Sequence, residues 1–172
     1  MSFTKTSQLL NLGSTIDLVD GTPTSLLQTL PLNSLDREIF VVTDIQMDAE
    51  PIPVPAAAGN TVGLSGSLNK VGTSVLSINN PDCIGSIRRQ SQSTATDAPM
   101  FQEAFLPNES TSGTEKDFIT IIATPNYVLT GSFATTAGGA ANRSIFARIT
   151  GYRAKASADV YAALVTEELN SQ

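Results

Sequence analysis

The sequence contains no histidine, no tryptophan and a single cysteine, Cys83. Without histidine, neither a Ser-His-Asp nor a Cys-His catalytic arrangement can be built from this chain. Histidine-ligated zinc, copper or haem is excluded on the same ground, and one thiol makes neither a metal–thiolate cluster nor an intrachain disulfide. Cys83 lies in Asn80-Pro81-Asp82-Cys83-Ile84. It reads as a small packed residue rather than a nucleophile. Charge is scarce as well, at 15% of residues. The 41% of hydrophobic residues suffices for a core, so a disordered solvating tail is not expected.

Sixteen acids against ten bases give a net charge of −6. Residues 1–86 carry eight acids and three bases (−5), and residues 87–172 carry eight and seven (−1). Such a chain repels phosphate polymers, so strong nucleic-acid binding is not expected. Six of the seven bases of the second half, Arg88, Arg89, Arg143, Arg148, Arg153 and Lys155, are the material for a basic patch. On a strand, however, Arg143 and Arg153 share a face and Arg148 points opposite, so dispersed charge is the simpler reading. No apolar run approaches the roughly 18 residues of a membrane span. Residues 1–8 lack the apolar stretch of a secretion signal, which predicts a soluble product outside the secretory route. The two Asn-x-Ser matches, Asn108-Glu109-Ser110 and Asn142-Arg143-Ser144, then read as chance.

The dominant periodicity is two. From Arg37 to Asp48, Ile39, Val41, Thr43, Ile45 and Met47 alternate with Phe40, Val42, Asp44, Gln46 and Asp48. This predicts one long half-buried strand, stopped by Pro51, Pro53 and Pro55. Residues 56–80, rich in Gly, Ala, Ser and Asn, predict two or three short strands, and 84–90 another. Residues 91–117 are the longest polar stretch and predict a long loop. Residues 118–124 are apolar on both faces, as in a buried central strand. Tyr127, Leu129 and Phe133 share one face of the next strand, and residues 143–153 form the last. From 158 to 169 the period changes. Val160, Tyr161, Leu164, Val165 and Leu169 make a helical stripe, with Ser157 as cap and Asp159 in the first turn.

No β-α-β alternation is present, so a parallel sheet is disfavoured. The expected fold is all-β: an antiparallel β-sandwich, jelly-roll-like or immunoglobulin-like. The expected organisation is an extended N-terminal arm (1–34), a sandwich core (35–156) and a short C-terminal helix and tail (157–172), in a single domain.

Chemistry-bearing clusters are few. Asp44, Asp48 and Glu50 share a strand parity and offer hard oxygen ligands for calcium, but a solvated strand face is the simpler reading. Paired carboxylates also serve glycoside hydrolysis, although no tryptophan is present to stack on a sugar. The glycine-rich pieces match neither a phosphate-cradling loop nor a dinucleotide fingerprint. No catalytic residue, cofactor or metal is therefore expected. The collective feature is apolar material on both strand faces. Phe40 and Val42 lie opposite Ile39 and Val41, and Phe146 and Tyr152 lie opposite Ile145 and Ile149. One set fills a core. The other needs a cover, either the chain's own termini or neighbouring subunits. Phe40, Val42, Phe146, Arg148 and Tyr152 are the expected subunit-interface residues.

This organisation resembles small single-jelly-roll viral coat (capsid) proteins. A loose segment precedes the strand opening Leu35-Asp36-Arg37-Glu38-Ile39-Phe40-Val41-Val42. Pro- and Gly-rich loops and polar insertions follow, and then the late strand Ser144-Ile145-Phe146-Ala147-Arg148-Ile149. The resemblance covers residues 35–156 and implies an eight-stranded sandwich packed against sister subunits in a virion. One feature departs from it. Such proteins often carry a basic arm, and here residues 1–34 hold only Lys5 against Asp17 and Asp20. Expected partners are copies of itself and other virion proteins. The alternative is a carbohydrate- or receptor-binding sandwich of lectin, adhesin or phage-fibre type, using the 91–117 stretch.

Overall fold

A computed structural model describes residues 3–94, 99–107, 118–136 and 141–170. Among the described residues, ten strands make two facing five-stranded antiparallel sheets, and one α-helix accompanies them. The first sheet is built on β10 (Arg143–Ala156), which pairs with β4 (Glu38–Ala49) along one side. Along its other side lie β1 (Phe3–Lys5) and β2 (Leu10–Leu18), end to end. β8 (Thr120–Ile122) closes the sheet beyond β4. The second sheet runs β3 (Thr24–Thr29), β9 (Asn126–Thr135), β5 (Thr61–Asn69), β6 (Cys83–Ser93) and β7 (Pro99–Pro107). The helix α1 (Ala158–Asn170) follows β10. The expected all-β sandwich with a C-terminal helix is what the chain forms.

The core lies between the sheets. Ile16, Leu18, Phe40, Val42, Ile45, Met47, Ile145 and Ile149 of the first sheet meet Val62, Leu64, Leu68, Ile87, Tyr127, Leu129 and Phe133 of the second. Close approach requires small residues at two crossings. A Cβ on Gly66 or Gly131 would fall within about 3 Å of the Ile145 side chain.

The N-terminal segment is not a loose arm. Residues 3–29 supply three strands and enter both sheets. Tight reversal at Val19–Thr22, with Gly21 at φ 74°, carries the chain from one sheet to the other. In β2 the buried and half-buried residues alternate with Asn11, Gly13, Thr15 and Asp17, which are exposed and polar or small.

Three further expectations change. Residues 61–69 form one strand. The segment 70–82 is a loop folded over the second sheet, where the Ser67 hydroxyl accepts the Leu76 N–H at 2.9 Å. The polar stretch from 91 contains the end of β6 and all of β7, an edge strand bounded by prolines at 99 and 107. The remainder of that stretch, 95–98 and 108–117, lies outside the described residues. Finally, β8 is a three-residue edge strand rather than a central one. Its residues are apolar on both sides because Ile122 enters the core while Ile121 faces the helix.

β4 carries the largest correction. Its pairing with β10 shifts between Thr150 and Gly151: Thr150 pairs with Asp44, and Gly151 pairs with Val42. Thr43 is thus an extra residue, a β-bulge, whose hydroxyl donates to the Thr150 carbonyl at 3.1 Å. One extra residue reverses the alternation. Ile39 and Val41 therefore point outward while Phe40 and Val42 point into the core. Beyond Thr43, Ile45 and Met47 point inward and Asp44, Gln46 and Asp48 outward.

Candidate interface

The outer face of the first sheet is the only one on which apolar residues gather in quantity among the described residues. Ile39 and Val41 (β4), Ile121 and Ala123 (β8 and just beyond) and Ala154 and Ala156 (β10) form a second buried cluster. The helix covers it with Val160, Tyr161, Leu164 and Val165, joined by Phe3, Phe118 and Tyr152. Phe3 and Phe118 meet edge to face at 5.9 Å. Glu168, buried, fixes the far end of the helix. Its two carboxylate oxygens accept the N–H groups of Ala123 and Thr124, each at 2.8 Å. The second apolar face is thus roofed by this chain's own termini and does not by itself call for a neighbouring subunit.

The five expected interface residues consequently separate. Phe40 and Val42 are fully buried in the core because the Thr43 bulge turns them inward, so neither can line a subunit interface. The Phe40 ring lies against Gly151, where a Cβ would come within 2.7 Å of it. Tyr152 is half-buried beside the helix, with the Lys5 ammonium 4.6 Å from its ring centre. Phe146 and Arg148 are exposed on the half of the face that the helix does not reach. Phe146 stands 42% exposed beside Thr15 and Asp48, and the Arg148 guanidinium donates to Gln46 Oε1. This uncovered half is otherwise polar: Asn11, Thr15, Asp17, Asp44, Asp48 and Thr150.

The three acids of the calcium expectation do not converge. Asp48 pairs with Arg89 at 2.9 Å, while Glu50 accepts the Ser144 N–H at 3.0 Å. Among the described residues, no group of three or more metal-ligating side chains occurs. Arg89 is a clamp between the sheets. It reaches from β6 to Asp48, to the Ala49 carbonyl and to Glu103 on β7, at 2.8 Å. Arg88, next to it, faces outward. The other bases are dispersed: Arg153 meets Glu38 at 3.5 Å and Lys155 meets Asp36 at 3.6 Å.

Depressions are open and shallow. On the outer face of the second sheet, Gly63, Ser65, Arg88, Gln90 and Ser132 line a groove of about 370 Å³. It continues into one of about 250 Å³ beneath Leu76 and Ile78. Cys83 is buried, and burial pushes its thiol up from the ordinary value, opposite to what an attacking thiolate needs. Burial likewise raises the Tyr127 hydroxyl. No helix among the described residues is long and apolar enough to cross a membrane.

Sequence reasoning missed the free edge of β2. Along its nine residues β2 hydrogen-bonds to β10 on one side only. The signal was present as alternation in Leu10, Leu12, Ser14, Ile16 and Leu18, but it was hidden by the small and polar residues between them. The chain matches no protein-family model and no curated protein.

Proposed function

We propose that this chain is a structural subunit of the jelly-roll coat-protein kind, assembling with copies of itself into a virion and carrying no catalytic role. Strand order is the observation that supports this reading. With β1 and β7 set aside, the remaining eight strands taken in chain order give sheets 1–8–3–6 and 2–7–4–5. All successive strands except the β5–β6 pair alternate between sheets, as in the paired Greek keys of a jelly roll. The fold alone does not select a function. Shallow open grooves, missing catalytic residue types and dispersed bases favour a building block over an enzyme or a genome-binding arm. Other proteins of the same particle are its further partners.

Sedimentation velocity with negative-stain microscopy of the purified chain tests this. Closed particles or a defined oligomer are expected. A monomer at every concentration, salt and pH overturns the reading.

The groove beside Arg88 favours a second reading, a carbohydrate- or receptor-binding module, since lectins share the jelly roll. Binding on a glycan array that is lost in Arg88→Ala, from a protein that stays monomeric, would select it.

A further inference from the structure

We propose that the free edge of β2 pairs antiparallel with the same edge of a second copy of this chain, joining two first sheets across a two-fold axis near Ser14. This rests on the self-assembly reading and names the surface it uses.

Sheet edges are templates for pairing, and proteins that stay single guard them with short strands, proline or charge. The other edges are guarded here. β8 has three residues. β7 is bounded by Pro99 and Pro107 and carries Glu103. β3 has six residues between Pro23 and Pro31. β2 has nine residues, no proline, no lysine or arginine and one carboxylate, Asp17. It is the longest unguarded edge among the described residues.

The edge is also incompletely covered. Leu10 and Leu12 of β2 and Leu26 of β3 pack on the core but are only partly buried. They form an apolar fringe where the two sheets meet at this side. A second β2 would cover it.

The sequence of β2 is complementary to itself. Antiparallel pairing about Ser14 sets Leu10 opposite Leu18 of the second copy and Leu12 opposite Ile16. On the outer face it sets Asn11 opposite Asp17, and Gly13 opposite Thr15. An amide therefore meets the sole charge of the edge, and no like charges face each other. Phe146 registers with Thr15, and Arg148 registers with Gly13. Across the junction the row reads Phe146, Thr15, then Gly13 and Arg148 of the second copy. A Cβ on Gly13 would meet nothing within 4 Å, so Phe146 has open space to lean into. The exposed ring on an otherwise polar face thereby gains cover.

Gly13→Lys is the test. Gly13 does not adopt a positive φ and its outer side is empty, so the substitution leaves the monomer folded by circular dichroism. Two added ammonium groups flank the axis and install the guard that β2 lacks. The wild-type chain is expected to self-associate and Gly13→Lys to associate at least about tenfold more weakly. Hydrogen exchange on the wild-type protein reads the same contact without a variant: amides of residues 10–18 slow as concentration rises. Equal association of the two proteins, or slowing confined to other residues, overturns the proposed edge while self-assembly stands. A wild-type chain that is monomeric throughout overturns both.

Discussion

The two halves of the first sheet's outer face carry opposite chemistry on the same strands. Where α1 lies, β4 and β10 present Ile39, Val41, Ala154 and Ala156. Beyond the bulge they present Asp44, Gln46, Asp48 and Arg148. β10 keeps its phase throughout, while β4 reverses at Thr43. A single inserted residue thus lets one continuous strand serve two environments: sandwiched between core and helix at one end, half-solvated at the other. Apolar residues on both faces of a strand accordingly signal a cover, and here the chain supplies it.

Removing Thr43 breaks the comparison most severely. Without the bulge, one half of β4 must turn its side chains over, placing either Asp44, Gln46 and Asp48 in the core or Phe40 and Val42 outside. No cooperative unfolding transition is expected for the deletion variant, as followed by near-UV circular dichroism. Loosening the roof costs less. Glu168→Ala leaves the N–H groups of Ala123 and Thr124 without their carboxylate and should destabilise by about 2–3 kcal/mol in urea unfolding. An unchanged midpoint would mean that the helix is held by its apolar stripe alone.

On the uncovered half, Arg89→Ala removes the clamp joining β6, β4 and β7 and should cost about 1–2 kcal/mol. Mid-sized loss is expected because Asp48 and Glu103 are exposed and re-hydrate, leaving chiefly the Ala49 carbonyl unpaired. The smallest effect belongs to Phe146→Ser, within about 0.5 kcal/mol for the isolated chain. A larger loss that grows with protein concentration would place Phe146 in a contact between copies. The two stability measurements together show whether the polar half matters to the monomer or only to its assemblies.

Legibility followed locality. The alternation from Ile39 to Met47 and the helical stripe from Val160 to Val165 rest on neighbours in the chain, and both elements formed, although Leu169, expected to continue the stripe, is exposed. The phase of β4 was not legible, because a bulge exists only relative to a partner: Thr43 is extra against Thr150 and Gly151, over a hundred residues away. β7 escaped notice for a similar reason. Its strand character comes from pairing with β6, in register from Gly85 opposite Pro107 to Ser93 opposite Pro99. The free edge of β2 is likewise a property of the sheet, since a strand is an edge only when the second neighbour is missing.

The amino-acid sequence by itself determined the strand-forming pattern, the C-terminal helix and the chemistry that is absent, because each depends on residue type and short-range spacing. Tertiary structure alone decided which apolar set became core, which was roofed by α1, and which strand was left with open hydrogen-bonding groups. Those outcomes depend on long-range pairing, where a shift of one residue exchanges the two faces of a strand.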